Sequence, residues 1–201
     1  MIRVLLADDQ HLVRGALAAL LSLEDDIEIV GQVGRGDEVV AAVRELLPDV
    51  VLMDVEMPGI DGLAAAGAVR AARPASRVLI VTTFGRAGYL RRAMEAGALG
   101  FVVKDAPPDA LAEAVRRVSR GERVVDPTLA AATLATGPSP LTARERDVLV
   151  AARDGATVAD IAGRLFLSEG TVRNYLSAAI AKTGARNRME ALRAAEESGW
   201  L

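Results

Sequence analysis

Over its first 125 residues, the sequence alternates five short runs of aliphatic and β-branched residues with five longer amphipathic segments rich in alanine and leucine. This alternation is typical of βαβ units, in which helices cover both faces of a parallel sheet. Runs such as VVLM and VLIV are apolar at every position, as strands buried on both faces require. We therefore predict a (βα)5 domain with strands at 2–7, 27–33, 49–53, 77–81 and 100–103 and helices at 13–23, 38–47, 62–72, 88–95 and 108–120.

A different pattern begins after residue 121. Glycine and proline interrupt a stretch rich in alanine and threonine, which predicts a linker over residues 122–140 with a short helix at 127–134. From Leu141 onward only helical periodicity is present, and Thr142 with Glu145 forms a capping-box pattern. Caps and helix-ending glycines predict an all-helical domain over 141–201, with four helices at about 142–155, 157–165, 168–183 and 187–198.

The composition excludes several classes of protein. The 201 residues include no cysteine, which excludes disulfide scaffolds and cysteine-based zinc sites. Charges or glycines interrupt every apolar run before the roughly 18 residues that a membrane-inserted helix needs, and no basic and apolar leader precedes the first strand. We therefore expect a cytoplasmic protein. The net charge is −3, yet residues 164–193 carry six basic and two acidic side chains. Such a cluster suits phosphate contacts, although a solvated helix face is the simpler interpretation.

Polar residues stand at the carboxyl ends of the predicted strands. Asp8 and Asp9 follow the first strand, and Asp54 follows the third. Thr82 ends the fourth strand, and Lys104 follows the fifth. Any one of them alone is more typical of a helix cap, a turn or the surface, but the carboxyl ends of parallel strands meet at one rim, so together they favour a site. Three clustered carboxylates predict a bound Mg²⁺ balanced by Lys104, with Asp54 as a nucleophile for phosphoryl transfer.

These residues belong to motifs that resemble a known family. Residues 1–121 resemble the receiver domain of two-component response regulators, with DD at 8–9, VLMDVEMPGIDG at 51–62, VTT at 81–83 and GFVVKD at 100–105. The resemblance implies a flavodoxin-like fold with parallel strand order 2-1-3-4-5. It implies that Asp54 accepts a phosphoryl group from a sensor histidine kinase, and that Thr82 and Lys104 contact the phosphoryl oxygens. It also implies a Mg²⁺ site formed by Asp8, Asp9, Asp54 and the backbone carbonyl of Glu56.

The same resemblance implies a conformational switch. In this family phosphorylation draws the residue at Thr82 inward, and an aromatic ring on the fifth strand, here Phe101, follows it. In the family the movement of this ring changes the shape of the fourth helix and its neighbours. The family often has tyrosine at this position, so we expect Phe101 to couple phosphorylation to that surface more weakly. Glu56 and Phe84 flank the path of an attacking water, and we expect them to set the lifetime of the phosphoaspartate. His11, the single histidine, is more typical of a surface or capping residue than of a metal ligand.

The third predicted helix of the tail carries a second functional pattern. The segment LFLSEGTVRNYLSAAIAKTG at 165–184 has apolar residues at helical spacing and leaves Arg173, Asn174 and Ser177 on the opposite side. A short turn joins it to the preceding helix, as in a helix-turn-helix motif whose second helix enters the major groove. Arginine, asparagine and serine can bind base edges. Four further residues are candidates for phosphate contacts, namely Thr171, Lys182, Arg186 and Arg188.

Residues 141–200 are similar to the four-helix DNA-binding domain of the LuxR/FixJ type. The resemblance implies base contacts by Arg173, Asn174 and Ser177, and dimerisation through the last helix at 188–198. Where many members have histidine this chain has Tyr175, whose hydroxyl is a further candidate for a phosphate contact. The low basicity of the domain predicts modest affinity of the monomer and reliance on dimers that bind paired half-sites.

The two patterns together predict a transcription factor rather than an enzyme, in which phosphorylation of Asp54 promotes homodimerisation and binding to double-stranded operator DNA. Three segments resemble regulators of membrane-lipid desaturation that answer a temperature-sensing kinase, namely DDQHLVRGALAALLSLEDDIE, TTFGRAGYLRRAMEAGALGFVVKD and SEGTVRNYLSAAI.

Two alternatives remain open at this point. The first is a Mg²⁺-dependent phosphohydrolase that uses Asp54 for turnover; the sequence Asp-Val-Glu at 54–56, in place of two aspartates, disfavours it. The second is a DNA-binding protein that no longer uses phosphorylation; the complete set of acidic residues at the strand ends disfavours it.

Overall fold

The structure of the protein is a computed structural model that describes residues 1–83, 87–135 and 137–201. The chain divides into two compact units, and residues up to 130 form most of the first while residues 131–201 form most of the second. The first unit is a parallel sheet covered by helices, and the second is all helical. In the described part of the chain, no helix is both long and apolar enough to cross a membrane.

A parallel sheet forms the centre of the first unit. Its strands are Ile2–Ala7 (β1), Ile27–Val33 (β2), Val50–Met53 (β3), Arg77–Thr82 (β4), Gly100–Val103 (β5) and Val124–Val125 (β6). Their spatial order is β2-β1-β3-β4-β5-β6, and every adjacent pair is parallel. The predicted order 2-1-3-4-5 is therefore confirmed, with a sixth strand added at the β5 edge. The switch point of the order lies between β1 and β3, where a crevice at the carboxyl ends is expected.

The helices of the first unit cover both faces of this sheet. They are His11–Leu21 (α1), Gly36–Leu46 (α2), Gly62–Ala72 (α3), Ala87–Ala96 (α4) and Pro108–Ser119 (α5). The next helix, Pro127–Ala135 (α6), spans the division between the two units. Leu5 and Met53 point to the face covered by α2, α3 and α4. Their neighbours Leu6 and Leu52 point to the face covered by α1 and α5. Because successive side chains at the centre of the sheet alternate between two buried faces, the runs at 4–7, 50–53 and 78–81 had to be apolar at every position.

Two features of this unit differ from the sequence prediction. In the segment 122–140 the predicted short helix is present as α6, but β6 was not predicted, and it extends the sheet through pairing of Val124 with Gly100. The other difference is in two helix starts, since α1 begins at His11 and α2 at Gly36, each two residues before the predicted start. The amide of Gln10 donates to Asp8 Oδ1 at 2.9 Å, and this tight turn brings the chain directly from β1 into the helix.

The second unit contains four helices around one apolar core. They are Ala143–Ala151 (α7), Val158–Leu165 (α8), Glu169–Thr183 (α9) and Arg188–Glu197 (α10). Capping side chains fix their N-termini, as Thr142, Thr157, Ser168 and Asn187 each accept a backbone N–H of the following turn. The core is formed by residues such as Leu149, Ile161, Val172 and Leu192. This arrangement confirms the predicted four-helix domain.

Candidate functional site

The five polar residues predicted at the strand ends lie at one rim of the sheet. Adjacent strands continue their hydrogen bonding up to this rim, since Asp54 N donates to Ala7 O and Lys104 N donates to Thr82 O, both at 2.8 Å. The side chains of Asp8, Asp54 and Thr82 are buried, at 3%, 4% and 2% exposure. The rim therefore places two carboxylates and a hydroxyl in a partly desolvated site.

Lys104 lies between the two buried carboxylates. Its Nζ is 2.7 Å from Asp8 Oδ2 and 3.1 Å from Asp54 Oδ2. Burial raises the pKa of Asp54 above its ordinary range; the positive charge of Lys104 opposes this rise, and the negative charge of Asp8 adds to it. The ammonium group thus compensates two carboxylates that would otherwise repel each other.

Backbone amides hold the other oxygen of each carboxylate. Gln10 N donates to Asp8 Oδ1, and Val55 N donates to Asp54 Oδ1, both at 2.9 Å. Each carboxylate thus has one oxygen on a backbone N–H and the other on Lys104, which fixes its orientation. This double anchoring leaves Asp54 with an oriented oxygen at the rim.

The acidic cluster has the ligand set that a hard divalent cation prefers. Asp8, Asp9 and Asp54 each offer one carboxylate oxygen, and these oxygens lie within 4.8 Å of one another. Asp9 is exposed, so the cluster opens to solvent on one side. Carboxylate oxygens and an open side suit Mg²⁺, which keeps several of its waters.

A close backbone contact supports Asp54 from below. Gly62, the first residue of α3, donates its N–H to Val55 O at 2.8 Å. A Cβ at this position would lie 1.8 Å from the backbone oxygen of Asp54. Asp61 caps the same helix through Ala64 N at 2.7 Å. The loop after β3 therefore depends on glycine at 62 to reach its shape.

We expect Gly62→Ala to lower the free energy of unfolding by about 1–3 kcal/mol, because the backbone at Asp54 must move. We also expect slower phosphorylation, measured as the rate of labelling by phosphoramidate. Gly67→Ala in the same helix is the control: its Cβ meets nothing within 4 Å, so this variant should be slightly more stable than the wild type. Equal stability of the two variants would contradict the prediction.

Two residues that the sequence analysis did not assign also contact this site. Arg14 Nη1 donates to the backbone oxygen of Asp8, and Tyr89 Oη donates to Glu56 Oε1 at 3.4 Å. Arg14 was recognisable as the one charged residue in the α1 sequence HLVRGALAALL. Nothing in the sequence pattern singled out Tyr89. Phe101 is buried at 1% exposure, and Phe84 lies outside the described residues.

In the helical unit, α9 exposes the three residues predicted to contact bases. Arg173, Asn174 and Ser177 are exposed on one side of the helix, while Val172 and Leu176 are buried on the other. These exposed side chains are free of the core and carry the donors and acceptors that base edges present.

The residues predicted near phosphates lie in more varied places. Thr171 is half-buried, with its Oγ1 2.8 Å from Ser168 Oγ at the start of α9. Tyr175 is half-buried and packs against the core. Arg186 is exposed and forms an ion pair with Glu190 at 3.2 Å.

Lys182 and Arg188 form contacts within the helical unit. Lys182 Nζ lies 2.9 and 2.8 Å from the two carboxylate oxygens of Glu145. Arg188 Nη1 donates to Ala156 O at 2.8 Å. Both side chains therefore stabilise the fold, a role that the charge pattern of the sequence did not indicate.

Comparison with known proteins agrees with both units. Residues 4–116 match the response regulator receiver domain, and residues 139–195 match the bacterial regulatory proteins of the luxR family. The chain is 45% identical to the uncharacterized transcriptional regulatory protein YvfU and 42% identical to the transcriptional regulatory protein DesR, both of Bacillus subtilis, over 201 residues and 100% of each chain. The crystal structure of response regulator ChrA, from a heme-sensing two component system, is 35% identical with a TM-score of 0.60, covering 100% of this chain and 98% of that one. The chain therefore belongs to the NarL/FixJ family of response regulators, in which a receiver domain is joined to a LuxR-type helix-turn-helix domain.

Proposed function

We propose that a sensor histidine kinase phosphorylates Asp54, that this promotes homodimerisation, and that the dimer binds double-stranded operator DNA in the cytoplasm as a transcription factor. The observation that carries the proposal is the position of Lys104 between Asp8 and Asp54, within the acidic cluster at the rim of the sheet. This arrangement suits a carboxylate that must gain and lose a phosphoryl group.

The chemistry of the step follows from these residues. A carboxylate oxygen of Asp54 forms a bond to phosphorus while the phosphorus–nitrogen bond of the kinase phosphohistidine breaks, and its electron pair returns to the imidazole nitrogen. Asp8, Asp9, Asp54 and the backbone carbonyl of Glu56 would hold Mg²⁺, whose charge neutralises phosphoryl oxygens. Lys104 and Thr82 are then the donors for the remaining phosphoryl oxygens.

The switch is proposed to run from Thr82 to Phe101. Without a hydroxyl, Phe101 is not held by a hydrogen bond in an exposed position. We expect Phe101→Tyr to strengthen phosphorylation-driven dimerisation by about fivefold, the equivalent of one hydrogen bond of about 1 kcal/mol. Sedimentation equilibrium with and without beryllofluoride measures this, and an unchanged dimerisation constant would refute the proposed role of the ring.

Glu56 and Phe84 are proposed to set the lifetime of the phosphoaspartate. We expect Glu56→Asn to speed hydrolysis of the phosphoaspartate by about fivefold. The attacking water gains negative charge as it loses its proton, and an amide, unlike the Glu56 carboxylate, does not repel that charge. Decay of the labelled protein gives this rate. Glu95→Gln, an exposed charge change on α4, is the control and should leave the rate unaltered. A Glu56→Asn protein with the wild-type decay rate would remove Glu56 from this role.

The helical unit is proposed to bind DNA with α9 in the major groove. Arg173, Asn174 and Ser177 would contact bases, Thr171, Tyr175 and Arg186 would contact phosphates, and α10 would contribute to the dimer. Within the predicted linker 122–140, the part that follows β6 would act as the tether between the domains. Two modules on one dimer raise avidity by about 10² to 10⁴ when both half-sites are engaged.

A phosphohydrolase is disfavoured by the surroundings of Asp54. Such an enzyme needs a second acid to protonate the leaving group. The side chain two residues later is Glu56 in place of a second aspartate, and its Oε1 accepts a hydrogen bond from Tyr89 Oη at 3.4 Å. An enzyme would release phosphate repeatedly from many esters, whereas the proposed regulator would be labelled once per chain.

The test combines gel filtration and DNA binding by the full chain with and without beryllofluoride and Mg²⁺. We expect dimers and tight binding to an operator, enriched from a randomised duplex library, only when both are added to the wild type. Asp54→Asn should stay monomeric and bind weakly under all conditions. If beryllofluoride changes neither the elution volume nor the DNA affinity of the wild type, the proposal is contradicted.

A further inference from the structure

An acidic residue lies on the face of α9 that is proposed to meet DNA. Glu169 is the first residue of this helix, four positions before Arg173 and eight before Ser177. Residues at intervals of four lie along one stripe of a helix, so Glu169 shares the exposed stripe of these two residues. Glu169 lies at the N-terminal end of α9, and in a helix-turn-helix motif the N-terminal end of the recognition helix contacts the base edges.

Glu169 is in contact with the arginine of this stripe. Its Oε2 accepts a hydrogen bond from Arg173 Nη2 at 2.5 Å, and the two side chains are 50% and 61% exposed. The contact uses one of the five N–H donors of the guanidinium and one of the two oxygens of the carboxylate. Both groups therefore keep capacity for a further partner.

The pair of Glu169 and Arg173 contributes little to the stability of the helical domain, so stability does not explain why an acidic residue stands on this face. An exposed ion pair at this spacing contributes little to the stability of a helix. The N-terminus of α9 is already capped, because Ser168 Oγ accepts from Thr171 N at 3.1 Å. In front of a phosphate backbone a carboxylate is repulsive, and it also lowers the attraction of Arg173 for phosphates. A residue that weakens non-specific contact with the phosphate backbone improves discrimination if it also strengthens contact with one particular base sequence.

We propose that Glu169 is a specificity-determining residue for DNA. It holds the guanidinium of Arg173 towards the base edges, where the arginine can pair with N7 and O6 of a guanine. Its second oxygen accepts a hydrogen bond from the N4 amino group of a cytosine, the base whose major-groove edge offers a donor to a carboxylate. Glu169 and Arg173 together would select G·C pairs at adjacent positions of each half-site. This inference rests on the proposed function and adds a residue to it.

The experiment uses the full chain with beryllofluoride and Mg²⁺. A randomised duplex library is selected with the wild type, and affinities are then measured for the selected duplex and for a scrambled one. We expect Glu169→Gln to bind the scrambled duplex more tightly, to bind the selected duplex less tightly, and to lower the ratio of the two affinities about tenfold. Glu169→Asp keeps the charge but is too short for the contact with Arg173, so it should lower the ratio as well.

The matched control is Asp147→Asn in α7. It removes the same charge and an exposed ion pair with Arg144 at 3.4 Å, but on a helix other than α9. This control should change both affinities by the same small factor and leave their ratio as in the wild type.

The outcomes separate the inference from the proposed function. A wild type that selects no sequence would overturn both. A wild type that selects a sequence, together with a Glu169→Gln variant that keeps the same ratio and the same selected bases, would overturn only the role of Glu169. Thermal unfolding of each variant shows whether α9 is intact, and Glu169→Asp tests the same role if glutamine destabilises the domain.

Discussion

Asp54→Asn is expected to reduce labelling of the protein by phosphoramidate by about a hundredfold or more, to the level of an unreactive protein, because the amide of asparagine is not a nucleophile for phosphorus. The substitution keeps the shape of the side chain and an oxygen that can accept from Val55 N. It therefore removes the reaction with little change in packing.

The same variant is expected to be at least as stable as the wild type. Asp54 is buried next to the negative charges of Asp8 and Asp9, and burial raises its pKa, which means that the site disfavours its charged form. Asparagine removes one of three crowded charges, while Lys104 keeps its partner Asp8 at 2.7 Å. A loss of labelling together with unchanged or higher stability in urea would assign the effect to chemistry rather than to unfolding.

Asp105→Asn is the control for this prediction. Asp105 follows Lys104 but is exposed, so its amide variant should be labelled like the wild type. Labelling of Asp54→Asn at the wild-type level would mean that the phosphoryl group is accepted elsewhere, and the central role of Asp54 would be lost.

The positions of the strands were predictable because burial on both faces requires apolar runs at the centre of the sheet, as at 4–7, 50–53 and 78–81. β1, β2 and β5 have the predicted bounds, and β3 and β4 differ from the prediction by one residue at one end. The sixth strand was not predictable. It comprises only Val124 and Val125, and its place depends on pairing with β5 rather than on a pattern of its own.

The convergence of the acidic residues was predictable because a parallel sheet brings the carboxyl ends of its strands together. Which oxygen contacts which donor was not predictable, since the anchoring of Asp8 and Asp54 depends on amides of the following turn.

In the helical domain the charge pattern of the sequence identified Lys182 and Arg188 as members of a basic cluster, but it did not predict the groups that they contact. Their partners lie 37 and 32 residues away in the sequence, on other parts of the domain. By sequence alone, a basic residue that contacts a distant partner inside the fold cannot be distinguished from one that is available to bind a DNA phosphate.

This difference leads to a prediction for the pair of Glu145 and Lys182. Glu145 is buried, its side chain accepts from Thr142 N at 2.7 Å, and Lys182 binds both of its oxygens. We expect Glu145→Ala to lower the free energy of unfolding of the helical domain by about 2–3 kcal/mol, because it removes the capping box and leaves the lysine unpaired. Lys182→Met should cost about 1–2 kcal/mol, because it leaves a buried carboxylate without its cation.

The measurement is urea unfolding followed by fluorescence of Trp200. This is the single tryptophan of the chain and packs against the core of the helical domain, so its signal reports on this domain. The double variant tests the coupling: if the pair interacts as the contacts indicate, the double variant is less destabilised than the sum of the single variants. Additive effects would contradict the prediction.

The dependence on pH gives a second test of the pair. Burial opposes ionisation of Glu145, but the hydrogen bonds from Lys182 and Thr142 outweigh it and hold its pKa below the ordinary value of 4.5. Since the folded pKa is lower than the unfolded one, the stabilising contribution is present above pH 4.5 and is lost as the pH falls through the folded pKa. Lys182→Met removes a cause of the lowered pKa, so its stability should fall less on acidification than that of the wild type.

DNA binding distinguishes the structural role of Lys182 from a phosphate contact. A lysine that contacts a phosphate contributes about one unit to the slope of log affinity against log salt, so its removal reduces this slope. A lysine held by Glu145 affects DNA binding only by changing the fraction of the protein that is folded. We therefore expect Lys182→Met, at a temperature where it is fully folded, to bind selected DNA with the wild-type salt slope. For comparison, Arg186→Met removes a cation that is 89% exposed and should reduce the slope. A reduced slope for Lys182→Met would return Lys182 to the DNA interface and would mean that its contact with Glu145 breaks on binding.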